Sequence, residues 1–205
     1  PEGDPDVIVI RRKPGDTSIV GENWHSDTPA VPAPPAMSML YGEDVPPYGG
    51  DTLFANQYLA FDTLSPAMQR MLEGVRAVYS SARVSGAALG RNAKGSTMTR
   101  EDADYAHSQG VHPVVRTHPE TGRPALYVNP GFTVAIESLP EDESKALLQE
   151  LWGYATAPEV IARQVWQPHD LVLWDNRCLM HHATTYPTHY IRHMHRTTIA
   201  GTRPY

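Results

Sequence analysis

His25 and Asp27 are the first residues whose types and spacing suggest metal chemistry, because only a serine separates an imidazole from a carboxylate. In an extended segment, side chains at positions i and i+2 project from the same face, so both groups could reach one ion. Two histidines and one carboxylate on one octahedral face are typical of non-haem Fe(II) oxygenases. The pair therefore predicts a metal site that needs a third ligand, with a surface histidine beside a turn aspartate as the alternative.

Candidates for the third ligand are concentrated near the end of the chain, which contains His181, His182, His189, His193 and His195. His193 and His195 also form a His-x-His pair, which could bind the metal of a different cupin-type enzyme. The residue types alone leave these alternatives open.

Arg192 and Arg196 lie four positions apart in a run that ends in Thr197-Thr198-Ile199. In a strand, both guanidinium groups face one side, while His193 and His195 face the other. Two arginines on an inward face would attract a carboxylate or a similar anion. On an outward face, the same arginines would be solvated.

The composition is typical of one compact domain, with 205 residues, of which 40% are hydrophobic and 20% are charged. A net charge of −6 gives no general attraction to nucleic acid or to a membrane surface, so neither is an expected partner. The single cysteine, Cys178, excludes an internal disulfide framework. No apolar run approaches the length of a membrane span, and no signal peptide is visible, so we expect a cytoplasmic protein.

Short strands separated by turns dominate the predicted elements, because 19 prolines and 15 glycines are scattered along the chain. Helices are expected from about Pro66 to Val75, after an N-cap at Ser65, and after a capping box from Ser138 to Glu141. Residues 83–110 are polar and weakly periodic, which predicts an insertion or a lid. A mainly β fold with flanking helices follows, and a jelly roll is the natural candidate. Its strands are expected at 6–10, 37–41, 51–55, 114–117, 125–128, 160–166, 171–174 and 190–200.

Several motifs, in order, resemble the taurine catabolism dioxygenase family, which includes taurine dioxygenase and the phenoxyacetate herbicide dioxygenases. They are Trp24-His25-Ser26-Asp27, Gly49-Gly50-Asp51-Thr52, Trp174-Asp175-Asn176-Arg177 followed by His181, and Arg192 followed by His195-Arg196. The resemblance runs from about Asp6 to the end of the chain. It implies a double-stranded β-helix, a cupin-like jelly roll, over residues 1–205 as one dioxygenase domain that lacks its N-terminal segment.

The same resemblance implies that Fe(II), 2-oxoglutarate and O2 take part in the reaction. By position, His25, Asp27 and His181 would be the iron ligands. Arg192, eleven positions after His181, would bind the distal carboxylate of 2-oxoglutarate with the help of the Thr52 hydroxyl.

Arg196 would lie near the keto-acid end of 2-oxoglutarate and contact the anionic group of the substrate, while Phe132 would line the substrate pocket. The implied reaction is hydroxylation of a small organic anion, such as the sulfonate taurine, an alkyl sulfate or an aryloxyalkanoate, with succinate and CO2 as co-products. The alternatives are a cupin-like metal-binding protein without turnover, or a different cupin enzyme that uses His193 and His195. We also expect a homo-oligomer, either a dimer or a tetramer.

Overall fold

The computed structural model describes residues 4–15, 21–82 and 108–205. Within these ranges the fold is mainly β, with three α-helices and one 3₁₀ turn. The strands are β1 (Ile8–Arg12), β2 (Met37–Asp44), β3 (Thr52–Asn56), β4 (Arg76–Ser80), β5 (Gln109–Pro113), β6 (Val115–Thr117), β7 (Pro124–Leu126), β8 (Thr133–Ile136), β9 (Ile161–Gln164), β10 (Leu171–Asp175), β11 (Leu179–Ala183) and β12 (Arg192–Ile199). The helices are α1 (Gln57–Asp62), α2 (Pro66–Met71) and α3 (Glu141–Ala155), and the 3₁₀ turn is Pro158–Val160.

Two antiparallel sheets pack face to face and form the double-stranded β-helix. The larger sheet has the strand order β1-β12-β2-β10, and the smaller one has the order β11-β3-β9. Side chains along β2 alternate between buried and half-buried, as expected when one face of a sheet covers a core. The core between the sheets contains Leu40, Trp166, Trp174 and Met194. The predicted mainly β jelly roll is therefore confirmed.

A second, larger core lies beneath the helices. The sheet β5-β4-β8 and the hairpin β6-β7 contribute to it together with all three helices. Its buried side chains include Tyr79, Val114, Leu126, Leu148 and Leu151. The strands predicted at 114–117 and 125–128 correspond to β6 and β7, which pair antiparallel on either side of the turn at residues 118–123.

Helix α2 has the predicted N-cap but is shorter than predicted. The Ser65 hydroxyl accepts a hydrogen bond from the Met68 amide at 3.2 Å. The helix ends at Met71 instead of Val75, and the chain then turns through Gly74, which has a φ of 73°. Met71, the last residue of the helix, has an exposed side chain.

Helix α3 begins without the predicted capping box. Its N-cap residue is Pro140, which has no side-chain acceptor and makes no side-chain cap hydrogen bond. Instead, the acidic residues 141–143 lie in the first turn, where their negative charges interact favourably with the positive end of the helix dipole. The buried Ser144 accepts a hydrogen bond from the Ile136 amide at 2.7 Å and so ties the helix to β8.

Strands β4, β5, β8 and β11 and helix α1 were not predicted. Strand β5 pairs with β4 from residue 109 onward, so the end of the predicted insertion at 83–110 belongs to a sheet. Residues 83–107 lie outside the described ranges, and the lid interpretation stays a prediction. None of the described helices is both long enough and apolar enough to cross a membrane.

Candidate metal and anion site

A pair of backbone hydrogen bonds positions the two histidines of the candidate metal site. The His25 amide donates to the His181 carbonyl at 3.0 Å, and the His181 amide donates to the His25 carbonyl at 2.8 Å. The segment around His25 is an isolated bridge to β11 and not the regular strand that the spacing suggested. This direct pairing places the two imidazole rings 4.2 Å apart, measured between their centroids.

Asp27 completes a compact group with these two rings. Its Oδ1 lies 3.9 Å from Nε2 of His25 and 3.8 Å from Nε2 of His181. One donor atom from each of the three residues lies within 4.8 Å of the other two. Thr28, which follows, has a φ of 42°, a left-handed conformation that costs a residue other than glycine about 1–3 kcal/mol.

The protonation states of this group suit a cation. The Nδ1 of His25 donates to the Asn23 carbonyl at 2.6 Å, which leaves the Nε2 lone pair directed at the group. Burial and the neighbouring His25 lower the pKa of His181 to about 3, so its imidazole is neutral. Burial raises the pKa of Asp27, but His181, Arg196, His25 and the Ser38 hydroxyl outweigh it and hold that pKa at about 2. Two imidazoles, of which His181 is neutral, and one ionised carboxylate therefore fit a divalent metal ion.

A buried hydrogen-bond chain, which the sequence did not reveal, holds the Asp27 carboxylate. The Ser38 hydroxyl donates to Oδ2 of Asp27, and the Asn176 side-chain amide donates to Ser38 at 2.8 Å. The Asn176 side-chain oxygen accepts from the Asp27 amide at 3.3 Å and from the Trp174 indole at 3.0 Å. Asn176, which appeared in the sequence only as part of a family motif, therefore orients the acidic member of the group.

Both arginines of β12 lie on one face, as the strand pattern predicted, and that face is turned to the interior. Nη1 of Arg196 lies 3.1 Å from Oδ1 of Asp27. Arg192 is buried, and its Nε has no hydrogen-bond partner among the described residues. No described carboxylate forms an ion pair with Arg192, and burial lowers the pKa of its guanidinium. A buried cation without a counter-ion is costly, so this position favours an anionic ligand.

Two glycines shape the chain beside Arg192. Gly49 and Gly50 both have positive φ values, 72° and 69°. A Cβ on Gly49 would lie 2.7 Å from the Thr185 carbonyl oxygen, and one on Gly50 would lie 3.6 Å from Cδ of Arg192. Only glycine allows this tight approach, which leads the chain into β3 and buries Thr52.

Thr52 and Phe132 occupy different parts of the interior. The Thr52 hydroxyl oxygen accepts a hydrogen bond from the Trp166 indole at 3.0 Å, which leaves its own hydrogen free to donate. Phe132 is buried, and its ring centroid lies 6.1 Å from that of His25. His182 projects away from the group and packs 5.4 Å from the Trp24 ring.

His193 and His195 lie away from this group. Both are within 3.2 Å of one carboxylate oxygen of Glu43, on the opposite side of β12 from Arg192 and Arg196. The two histidines therefore face away from the arginines, as the strand pattern predicted, and the alternative in which they bind metal stays a prediction.

The profile of the family described as Taurine catabolism dioxygenase TauD, TfdA matches residues 1–198. The chain belongs to this family. The assignment agrees with the family resemblance of the sequence motifs and with the double-stranded β-helix described above.

Two curated members of the family illustrate the similarity. The chain is 32% identical to the alpha-ketoglutarate-dependent sulfonate dioxygenase of Saccharomyces cerevisiae, over 100% of this chain and 50% of that protein. It is 35% identical to the alpha-ketoglutarate-dependent 2,4-dichlorophenoxyacetate dioxygenase of Cupriavidus pinatubonensis, over 88% of this chain and 61% of that protein. The chain thus spans about half to three fifths of the length of these family members.

Solved structures of the family share the fold. A taurine dioxygenase from Burkholderia xenovorans superposes with a TM-score of 0.79 at 34% identity, covering 99% of this chain and 64% of that one. The crystal structure of AAD-2 in complex with Mn(II) and N-oxalylglycine gives a TM-score of 0.76 at 34% identity, covering 88% of this chain and 63% of that one.

Proposed function

We propose that this protein is an Fe(II)- and 2-oxoglutarate-dependent dioxygenase that hydroxylates a small organic anion, with succinate and CO2 as co-products. One observation carries the proposal. Two imidazoles and one carboxylate converge in the interior, on the same side of β12 as two arginines. Family membership supports the same reaction class.

His25, Asp27 and His181 would hold the iron. Three protein ligands leave three positions of an octahedral ion open to small molecules. When bound, the iron would supply the O2 and redox chemistry that these side chains lack. The protein contributes the geometry: the paired backbones of His25 and His181 hold the rings, and Ser38 with Asn176 holds the carboxylate.

Arg192, Thr52 and Arg196 would bind 2-oxoglutarate. The buried guanidinium of Arg192 would meet the distal carboxylate and thereby gain the counter-ion that the described residues do not supply. The Thr52 hydroxyl has a free hydrogen to donate to the same carboxylate. Arg196, which contacts Asp27, would lie closest to the iron and to the keto-acid end.

The substrate would be a sulfonate such as taurine, an alkyl sulfate or an aryloxyalkanoate. Arg196 would attract its anionic group, and Phe132 beside His25 would contact its apolar part. Relatives named as sulfonate dioxygenase, 2,4-dichlorophenoxyacetate dioxygenase and alkylsulfatase support this range of substrates. A homo-oligomeric state and a cytoplasmic location stay predictions from the sequence, and size-exclusion chromatography tests the first of them.

Succinate release tests the proposal. Purified protein with Fe(II), O2 and 2-oxoglutarate is screened against sulfonates, sulfates and aryloxyacids, and at least one of these compounds should stimulate succinate formation. Omission of Fe(II) or O2 should abolish the signal. Metal binding without succinate formation under any condition would favour the cupin-like binding protein instead.

A further inference from the structure

A second cluster of two histidines and one carboxylate lies on the outer face of the larger sheet. Glu43 of β2 faces His193 and His195 of β12. Its Oε2 lies 3.2 Å from Nδ1 of His193 and 3.2 Å from Nε2 of His195. Both imidazoles are largely buried, whereas the Glu43 side chain is 45% exposed, so the cluster is open to solvent on the carboxylate side.

A β-bulge builds this cluster. His195 pairs with Tyr41 and Met194 pairs with Gly42, but His193 pairs with Asp44, so Glu43 is the extra residue of β2. A bulge redirects the side chain of the strand that carries it. Here it brings one carboxylate within reach of two histidines that lie on the same face because they are two positions apart.

The distances fit a shared metal ion. For bonds of about 2.0–2.1 Å in a tetrahedral site, two ligand atoms lie roughly 3.3 Å apart. Both nitrogen-to-oxygen distances in the cluster are close to this separation. Nε2 of His195 is buried and makes no hydrogen bond within the described part of the chain, despite its closeness to Glu43.

We propose that Glu43, His193 and His195 form a binding site for a divalent transition metal of the zinc class, separate from the interior group. Imidazole and carboxylate ligands suit Zn(II), and three protein ligands leave at least one position for water. The proposal does not depend on the proposed dioxygenase activity, because no residue is shared between the two groups. A bound ion would join β2 to β12, the strands that also carry Ser38, Arg192 and Arg196 on their inner faces.

The neighbouring strand β1 places one positive charge beside the cluster, and this charge would oppose the binding of a metal cation. Arg11 of β1 lies directly opposite His193 and is exposed, whereas Val9 lies opposite His195. The Arg11→Ala variant should therefore bind Zn(II) at this site as tightly as the wild type or more tightly.

Metal stoichiometry tests the proposal on the full chain. Equilibrium dialysis with Zn(II), and Co(II) titration followed by visible absorption, should give two equivalents for the wild type. The His25→Ala/Asp27→Ala variant should retain one equivalent. His193→Ala and Glu43→Gln should each weaken Zn(II) binding at the outer site by about 10–100-fold or more. Losses of this size are typical when a residue that only supports a metal ligand is changed, so the loss of a ligand itself should cost at least as much.

His169→Ala is the matched control, because this exposed histidine contacts Tyr41 beside the cluster but is not part of it. It should keep both equivalents, and circular dichroism should show that every variant is folded. Glu43→Gln changes an exposed side chain and so tests the site even if His193→Ala does not fold. Complete loss of Zn(II) binding in His25→Ala/Asp27→Ala, or two undiminished equivalents in Glu43→Gln, would overturn the proposal.

Discussion

The interior group and the outer cluster use the same residue types, two histidines and one carboxylate, but their surroundings differ. Asp27 is 3% exposed and is held by hydrogen bonds that reach Trp174, whereas Glu43 is 45% exposed. Arg196 contacts the interior carboxylate, and β12 presents Arg192 on the same inward side. The residue types are therefore the same in both places, but only the interior group has inward-facing arginines beside it, where we propose that organic anions bind.

The way each group is assembled differs as well. The outer cluster needs only two neighbouring strands and one bulge. The interior group joins segments that are distant along the chain and depends on the packing of the two sheets. Its geometry is consequently fixed by the whole fold, which suits a site that must orient a reaction.

Removal of an interior ligand should have the largest effect. Asp27→Ala, His25→Ala and His181→Ala should each reduce succinate formation to the level measured without protein, because none leaves a complete ligand set. Asp62→Ala, which removes an exposed ion pair with Arg123, should retain activity, since such pairs contribute about 0–1 kcal/mol. Wild-type turnover by any of the three interior variants would remove the distinction between the two groups.

Loss of the Arg192 side chain should have the next largest effect. Arg192→Ala leaves the distal carboxylate of 2-oxoglutarate without its charge partner, at a cost of about 2–5 kcal/mol. The concentration of 2-oxoglutarate needed for half-maximal succinate release should rise roughly 30-fold or more. Arg123→Ala, at an exposed arginine, is the control. If Arg192→Ala needed no more 2-oxoglutarate than the wild type, Arg192 would not bind the distal carboxylate, and the anion site would not lie beside the metal group.

The chain that holds Asp27 should matter less than Asp27 itself. Ser38→Ala and Asn176→Ala should each weaken Mn(II) binding by about 10–100-fold, because the carboxylate loses its orientation. The two residues act in series, so the double variant should lose little more affinity than the weaker-binding single variant.

Gln57→Ala provides the comparison for these two variants. Gln57 is also buried and donates hydrogen bonds to the Ala55 and Ala155 carbonyls, but it has no contact with Asp27 among the described interactions. This change should lower the melting temperature without changing Mn(II) affinity. Equal losses of affinity in all three variants would mean that general destabilisation explains the effect.

The smallest effect is expected from the outer face. His193→Ala should change Fe(II) affinity at the interior group by no more than about twofold, because substitutions at distant sites without shared partners usually act independently. Fe(II) binding is compared between this variant and the wild type without added Zn(II), because Zn(II) would also occupy the interior group. Loss of interior iron in this variant would revive the alternative in which His193 and His195 are the principal ligands.

The convergence of His25, Asp27 and His181 could be predicted because these residues sit in short ordered motifs. The residues that support them could not. Ser38 is eleven positions from Asp27, and Asn176 is 149 positions away, so only the packing of β2 and β10 reveals the contact. Strand β11 was missed for a related reason: His181 and His182 occupy positions where a strand usually has apolar residues.

The ends of the helices show the same limit. The Ser65 cap followed from local chemistry and is present. The expected cap at Ser138 is absent, because Pro140 takes the N-cap position and Ser144 binds the preceding strand instead. Residue types predicted that helices occur in these regions, but tertiary contacts determine where they start and stop.

Strand β12 alternates between the two groups, with Arg192 and Arg196 on one side and His193 and His195 on the other. A slip of one residue against its neighbours would exchange the two sides completely. The arginines would then point to solvent, and the histidines would point into the interior between the two sheets. An insertion or deletion within β12 should therefore disrupt both groups at once. Evolution can change the two groups by substitution but not by changing the length of this strand.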